Sequence, residues 1–335
     1  MPVWFRFVAM RLFRLALLLI GVAVVAFALA KMSPVDPVTA YLGPNIAKVG
    51  PEQRALIAAR WGLDQPVATQ FLAWLSNLAS GDFGWSATYN APVVDVIGSR
   101  VAASAALMGL AWMFSGVIGF SLGVIAATFQ GGWCDRVIRV YAYVLASTPT
   151  FWIAILLLMG FSVALGWTPV CCAAPIGLLP EEVTLIQRLH HLILPLVALS
   201  ILGISQIALH TRAKMIDILE SDFATYARAQ GASRLDVALR HGARNAALPA
   251  ITVLFASLGE LFGGSILAEQ VFSYPGLGSA TIAAGVRGDV PLLLAIAMGT
   301  TLVVSLGNTI ADSLYAVADP RIDIAAGAPL REIGP

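Results

Sequence analysis

Long apolar runs separated by short polar segments dominate the sequence. A helix that crosses the hydrocarbon core of a bilayer needs about 20 mostly apolar residues. Runs of this kind predict six spans, at residues 9–31, 101–129, 137–166, 190–209, 249–270 and 291–317. The second and third are long enough to tilt or to contain a short interfacial piece. The pattern therefore predicts an all-α, polytopic membrane protein with six transmembrane helices.

The segment between the first two spans, residues 32–99, is interrupted by prolines. Apolar periodicity within it predicts two short amphipathic helices, over 52–61 and 67–78. We interpret the segment as a small ordered cap outside the membrane. The predicted divisions of the chain are then the amino terminus with the first helix (1–31), the cap (32–99), a five-helix core (100–320) and a tail (321–335).

Composition agrees with a membrane protein. Hydrophobic residues make up 59% of the chain and charged residues only 12%, whereas soluble domains have about 25% charged residues. So few charges do not cover a soluble surface, and lipid must solvate much of the chain. The net charge of +1 indicates no nucleic-acid partner.

Basic residues near the span ends predict the orientation. Cytoplasmic loops carry an excess of Lys and Arg. If the amino terminus is cytoplasmic, six crossings place on that side the basic residues of 210–248 together with Arg6, Arg11, Arg14, Arg136, Arg139 and Arg321. Both termini are therefore predicted to be cytoplasmic. The sequence that follows the apolar run 15–30 lacks a small-x-small cleavage site at the expected place, and the nearest candidate is the pair Ala28 and Ala30. We therefore interpret the run as a retained helix and not as a signal peptide.

Residues 210–248 form the one long polar, basic segment in the second half of the sequence. Between two apolar spans, such a segment is either a docking element for another protein or a basic surface for anionic lipid headgroups. Its basic residues are Arg212, Lys214, Arg228, Arg234, Arg240 and Arg244.

Local signals divide this segment into helix, turn and helix. Asp222 is predicted to cap a helix over 223–230, and Gly231 to end that helix in a left-handed conformation. Ser233 is predicted to cap a second helix over 234–246, which stops before the proline that opens the fifth span.

The sequence carries no motif for catalysis. It lacks a G-x-x-x-x-G-K-[ST] phosphate loop, an HExxH pair and a G-x-S-x-G elbow. His190 and His191 are adjacent and face different sides of a helix, so they make a poor metal pair. Adjacent cysteines such as Cys171 and Cys172 seldom bridge each other, and we interpret them as small apolar loop residues. We therefore predict a non-catalytic protein without a metal site. The alternative of a membrane-embedded hydrolase would need a nucleophile and base pair, and the sequence shows none.

Five stretches of the sequence, in order, resemble one family. Residues 226–249, YARAQGASRLDVALRHGARNAALP, resemble the cytoplasmic signature of the membrane subunits of binding-protein-dependent ABC importers, in the version of the dipeptide/oligopeptide/nickel permease family. The long segment after the first span resembles the first of the two permease subunits of such systems. The other similar stretches are 61–75, 80–86, 264–278 and 312–322.

This resemblance implies the type I ABC importer permease fold in a bacterial cytoplasmic (inner) membrane. It implies a homologous second permease, two ATP-binding subunits and an external solute-binding protein as partners. ATP would bind to the partners, so the chain needs no cofactor of its own. Short peptides are the implied substrates, with nickel chelates, glutathione or other peptide-like solutes as alternatives. An ion-coupled secondary transporter is the alternative from another class, although neither several midplane charges nor an inverted repeat is visible.

The resemblance also assigns a role to residues 222–248, which we call the coupling segment. It implies that this segment docks into a groove on an ATPase. The general signature begins Glu-Ala-Ala where this chain has Thr225, Tyr226 and Ala227, so one possible polar contact is missing. The expected coupling residues are Tyr226, Ala227, Ala229, Gly231, Ala232, Arg240, His241, Arg244, Asn245 and Pro249.

Two carboxylates of the fifth span are candidates for the translocation path or its gate. Glu260 lies 11 residues after Pro249, roughly 16 Å along a continuous helix and near the bilayer midplane. A carboxylate there is costly unless it faces water or a partner. We expect Glu260 to contact a cationic group of the substrate; a structural hydrogen bond to a neighbouring helix, or protonation of the carboxylate, is the alternative. Glu269 is expected to hold the external gate or the loop 273–276.

Two further expectations concern packing. Asp312 and Asp319 are expected to pair with basic groups at the cytoplasmic end of the sixth span. Small residues in the second and fifth spans predict close helix approach, at Gly109, Gly116, Gly119, Gly123, Gly259, Gly263 and Gly264.

Overall fold

Helices form most of the part of the chain that the structure describes. The structure is a computed structural model that describes residues 3–32, 38, 49–60, 62–179, 181–318, 322–323 and 328–329. The helices are α1 (Val3–Met32), α2 (Pro51–Arg60), α3 (Val67–Ala79), α4 (Val93–Thr128), α5 (Trp133–Ala146), α6 (Thr150–Leu157), α7 (Leu185–Leu219), α8 (Asp222–Ala229), α9 (Arg234–Val237), α10 (Ala243–Ala256), α11 (Leu258–Val271), α12 (Leu277–Arg287) and α13 (Val290–Ala318). Two π-helical turns, Leu158–Ala164 and Ala238–Gly242, extend α6 and join α9 to α10.

The β-structure of the described residues is limited to two antiparallel pairs of two-residue strands. Strand β1 (Trp85–Ser86) pairs with β2 (Ala91–Pro92), and β3 (Ile322–Asp323) pairs with β4 (Ala328–Pro329). We call the end of the helix bundle that carries β1 and β2 the hairpin end. The opposite end, which carries residues 222–248, is the coupling end.

The membrane-spanning helices match the six predicted spans if each bent pair crosses once. Helices α1, α4, α7 and α13 are long and apolar enough to span singly. The third predicted span is a pair, α5 and α6, that meets at 105°, and the fifth contains a bend of 52° before α11. Pro149 directly precedes α6, and a proline disfavours helical conformation in the residue before it. The break in the third span therefore has a local cause.

Helices α4 and α7 form the centre of the bundle. Three glycines of α4 lie close against α7 or α10, and two of them, Gly119 and Gly123, lie against backbone atoms of α7. A Cβ on Gly119 would lie 2.8 Å from the Ile204 carbonyl oxygen, and one on Gly123 would lie 2.5 Å from Thr211 Cβ. The prediction of close approach is confirmed at these positions and at Gly116 and Gly264, whereas nothing lies within 4 Å of a Cβ on Gly109 or Gly263.

The cap contains the two predicted short helices, as α2 and α3. Helix α3 packs on α1, where the Phe27 ring lies 5.2 Å from Phe71 and 5.8 Å from Trp74. The remaining cap residues 33–37, 39–48 and 61, and most of the predicted tail, lie outside the described residues.

Cys171 and Cys172 form a disulfide, so their interpretation as unbridged loop residues is wrong. Neighbouring elements hold the loop in the necessary conformation. Cys172 has a φ of 76°, and its N–H donates to the Phe272 carbonyl at 2.9 Å. His191 Nδ1 lies 3.0 Å from the Cys171 carbonyl oxygen. Such tertiary contacts are not visible in the sequence.

Candidate coupling site and translocation path

The coupling segment begins with a capped helix, α8. The cap is Ser221, whose side chain accepts from the Ala224 N–H at 3.4 Å. The prediction that Asp222 is the cap is wrong by one position, because Ser221 has the extended backbone of a cap and Asp222 is already helical. Gly231 ends the helix with a φ of 94°, as predicted.

The second half of the segment is longer than predicted. Ser233 caps α9 in a reciprocal capping box with Asp236, as predicted. The helical run then continues through the π-helical turn into α10 and past Pro249. The predictions that the helix stops at Ala246 and that Pro249 opens the next span are wrong. A proline removes one helical hydrogen bond, and the packing of α10 against α7 and α13 offsets that loss.

An apolar cluster seats the coupling segment on the bundle. It joins the last turns of α4 and α7 to α8, α9 and α10, through Val124, Ala127, Met215, Leu219, Ala224, Val237, Ala238 and Ala246. Ala227 and Ala232 are half-buried against this cluster. These two small residues therefore face the bundle with part of their surface.

The outer side of the segment is an exposed face that mixes apolar, aromatic and basic groups. Tyr226 is 65% exposed and Leu239 is 58% exposed. The Phe223 and His241 rings lie 5.3 Å apart. Ala229 and Gly231 are also exposed, at the turn. We call this surface the coupling face; it consists of Phe223, Tyr226, Leu235, Leu239, Arg240, His241, Arg244 and Asn245.

Sequence reasoning identified Tyr226 but missed Phe223, Leu235 and Leu239 of the coupling face. Leu235 and Leu239 are four residues apart, and Phe223 and Tyr226 are three apart, which puts each pair on one side of a helix. That spacing was the available signal. Pro249, by contrast, is half-buried inside α10 and lies off the face.

Glu260 lies in the first turn of α11, just after the bend. Its side chain is exposed, and its Oε2 accepts from Gln206 Nε2 on α7 at 2.9 Å. The bend makes the expected straight-helix distance from Pro249 invalid. Glu260 thus combines features of both alternatives: it has a structural hydrogen bond and an open side within a predicted span.

Glu269 is fully buried at the hairpin end. Its Oε1 accepts from Ser104 Oγ at 2.6 Å, and its Oε2 accepts from the Ser279 N–H at 3.0 Å. The Leu277 N–H donates to Ser104 Oγ at 2.7 Å. Glu269 therefore ties the first turn of α12 to α4, where negative charge is favoured by the helix dipole.

The loop 273–276 joins the same group of contacts. The Tyr274 N–H donates to the Glu269 carbonyl oxygen at 2.8 Å. Burial, and then the negative charge of Glu269, raise the pKa of the Tyr274 hydroxyl above its ordinary value. Gly276 lies so close to Glu269 and Ser104 that a Cβ would collide with both side chains.

A second buried carboxylate, Asp289, was not identified from the sequence. Its Oδ2 accepts from Ser86 Oγ at 2.5 Å and from the Thr88 N–H at 2.9 Å, and Oδ1 accepts from the Leu292 N–H at 3.3 Å. Asp289 therefore ties the β1–β2 hairpin to the start of α13. An aspartate before a helix is a common cap, but the hairpin contact depends on the fold.

The amino-terminal helix is joined to the last one by an ion pair between Arg11 and Asp312. The expectation that Asp312 pairs with a basic group is confirmed. Asp319 lies outside the described residues.

The fold and these sites define a polytopic helical membrane subunit with the type I importer permease fold. A solved structure of the MetNI methionine ABC transporter is similar in fold, with a TM-score of 0.50 and 18% sequence identity over 66% of this chain and 97% of that chain. The model for binding-protein-dependent transport system inner membrane components matches residues 119–324, and the model for the N-terminal part of such components matches residues 4–107. The chain belongs to this family.

Three similar proteins align with nearly the whole chain. The oligopeptide transport system permease protein AppB of Bacillus subtilis is 34% identical over 91% of this chain and 95% of its own length. The di/tripeptide permease DppB of Pseudomonas aeruginosa is 35% identical over 94% and 98%. The glutathione permease GsiC of Escherichia coli is 34% identical over 95% and 98%.

Proposed function

We propose that this protein is one permease subunit of an ATP-driven importer for short peptides. It forms half of the translocation pathway and pairs with a homologous second permease, two ATP-binding subunits and an external solute-binding protein. The chain itself is non-catalytic, and ATP is bound and hydrolysed by the partners. Both termini and the coupling end lie on the cytoplasmic side, in agreement with the distribution of basic residues.

The observation that carries this proposal is the coupling face. Exposed aromatic and apolar side chains lie there together with basic ones, on a segment that is capped at both helix starts and seated on a buried cluster. Interfaces are enriched in Tyr, Phe and Arg. A purely lipid-directed surface needs basic charge but no rigid helix-turn-helix. A rigid mixed face favours a protein partner, the ATPase.

The substrate class is supported by the names of three relatives, which refer to oligopeptides, to di- and tripeptides and to glutathione. The position of Glu260 is consistent with peptide substrates, because an exposed carboxylate within a span can bind the amino group of a peptide. Glutathione, nickel chelates and other peptide-like solutes are the alternatives within the same mechanism. At the hairpin end, Glu269 and its contacts hold the external gate.

The experiment is purification of the tagged chain in mild detergent, with mass spectrometry of the proteins that accompany it. A second six-span permease and one or two proteins with phosphate-loop motifs are expected. Gly231→Trp should lose the ATPases, because it places a bulky side chain at a left-handed turn beside the coupling face. Gly177→Trp is the matched control, since Gly177 has a φ of 92°, similar open space and a position in the loop at the other end.

The proposal is wrong if the chain purifies alone or as a homo-oligomer, even after crosslinking through Gly231→Cys. An ion-coupled secondary transporter would then be the better interpretation.

A further inference from the structure

The coupling end contains an ion pair outside the coupling segment, between a buried aspartate and a partly buried arginine. Asp135, in the first turn of α5, is fully buried. Arg212 of α7 donates from Nε to Asp135 Oδ1 at 2.6 Å and from its terminal nitrogen to Oδ2 at 2.8 Å. The Gly131 N–H donates to Oδ2 at 2.9 Å, and Arg139 Nε lies 3.3 Å from Oδ1. This two-pronged pair fixes the start of α5 against α7.

The coupling segment reaches the same place through Arg234. Arg234 of α9 donates to the Ala127 carbonyl at 3.2 Å and to Gln130 Oε1 at 2.7 Å. Ala127 lies in the last turn of α4 and Gln130 in the turn 129–132, which leads directly into α5. Displacement of α9 would therefore pull on the turn whose Gly131 N–H is bound to Asp135.

Helix α7 extends this connection toward the predicted path. Gly123 of α4 packs directly on Thr211, next to Arg212. Gln206, which holds Glu260, lies six residues from Arg212 on the same helix, or about 9 Å along its axis. A rigid movement of α7 would therefore alter the contact between Gln206 and Glu260.

Stability alone is a weak reason for this pair. Burying two charges costs several kcal/mol, and well-packed apolar residues of similar volume often serve as well. A two-pronged contact between arginine and carboxylate differs from apolar packing in that it allows one relative orientation. The advantage of the pair over an apolar contact is therefore positional.

We propose that Asp135 and Arg212 are positioning residues for coupling: the apolar cluster already packs the coupling segment on α7, and the pair fixes the orientation of α7, so that ATP-driven displacement of the segment reaches the Gln206–Glu260 contact. This inference rests on the proposed function. It predicts that loss of the pair separates ATP hydrolysis from movement of α7, while the coupling face still binds its ATPase.

The test uses the complete transporter, with its co-purified partners, in vesicles. Leu202→Cys places a thiol on α7 one turn from Gln206, in a Cys134→Ser background. The rate of labelling by a membrane-impermeant maleimide is measured with and without ATP and vanadate. Leu202 is half-buried, so a movement of α7 changes that rate, by about fivefold or more at typical coupling energies.

Asp135→Asn and Arg212→Lys should keep ATP hydrolysis close to the starting rate and lose the ATP-dependent change in labelling. The double variant Asp135→Leu, Arg212→Met should behave in the same way even though it packs an apolar pair at the site. Asp217→Asn is the control, because Asp217 belongs to an exposed ion pair near the same end of α7. It should keep the full labelling change.

Each other outcome is decisive. If the double variant keeps the labelling change, the pair only fills space and the inference is overturned. The inference is also overturned if ATP hydrolysis and the ATP-dependent change in labelling fall in equal proportion in every assembled variant. It is overturned as well if the transporter with Asp135 and Arg212 intact hydrolyses ATP without any change in the labelling rate at Leu202→Cys. If no ATPase accompanies the chain at all, the proposed function itself is wrong.

Discussion

Glu260 and Glu269 show how strongly the surroundings of a residue decide its role. They are nine residues apart on α11, but Glu260 is exposed with one hydrogen-bond donor, whereas Glu269 is fully buried. A buried carboxylate with several donors is committed to structure, because its acceptor sites are occupied. An exposed one within a span is available to a ligand.

Glu260→Gln should reduce uptake of trialanine with a free amino group more than uptake of N-acetylated trialanine. A hydrogen bond to a charged group contributes about 1.5–3 kcal/mol, so the difference should be about tenfold or more. Initial uptake rates in vesicles with the complete transporter measure it. Glu181→Gln, in an exposed loop, should change neither rate. Equal effects on both peptides would show that Glu260 does not contact the amino group.

At the scale of elements, the contact between α4 and α7 depends on the absence of side chains. Only some of the glycines in α4 serve this contact, and their spacing selects one face of the helix. Gly116, Gly119 and Gly123 face a neighbouring helix, whereas Gly109 faces open space. Composition alone does not distinguish these positions.

Gly123→Leu should destabilise the protein by about 1–3 kcal/mol or more, because overpacking forces the backbones of α4 and α7 apart. Thermal unfolding in detergent should show a lower melting temperature. Gly109→Leu introduces the same side chain into the same helix and should leave the melting temperature nearly unchanged. Because leucine is a better helix former than glycine, helix propensity alone would not lower the melting temperature. An equal decrease for both variants would therefore show that the close approach at Gly123 is not the cause.

The coupling segment is the second element with a direct prediction. Leu239→Asp places a charge in the centre of the coupling face, and loss of an interface hot spot costs about 2 kcal/mol or more. The amount of ATPase retained at low concentration should fall by about thirtyfold. Leu179→Asp changes an equally exposed leucine in a loop away from the coupling face. Retention that is the same in both variants would exclude Leu239 from the docking surface.

At the scale of the whole molecule, the proposed mechanism requires energy from the partners. Glu260, next to the bend in the fifth span, is exposed and accepts a hydrogen bond from Gln206 of α7. Such an arrangement offers a substrate contact more readily than a relay for coupled ions.

Uptake of trialanine by intact cells should therefore stop when ATP is depleted while the proton gradient is maintained. Dissipating the gradient with ATP held constant should leave the initial rate largely intact. Measuring ATP, membrane potential and uptake in the same culture separates the two energy sources. Uptake that follows the gradient would support the secondary transporter instead.

Much of the architecture follows from the apolar runs, because each span must be long enough to cross the bilayer and must satisfy its own backbone. Local signals also placed the turn at Gly231 and the cap at Ser233. They failed at Pro249, where packing of α10 on two other helices overrides a local helix breaker. They failed at Cys172, where contacts from Phe272 and His191 hold the loop.

The sequence by itself determined the class of protein, the number of apolar runs, the family signature and the position of the coupling segment, since these depend on composition and on neighbouring residues. Only the tertiary structure decided which side chains of that segment face outward, and that Arg212 meets Asp135 across 77 residues of chain. Such contacts join residues far apart in sequence, and their partners are set by how the helices pack. The same reason explains why Asp289, bound to Ser86, became visible only in the fold.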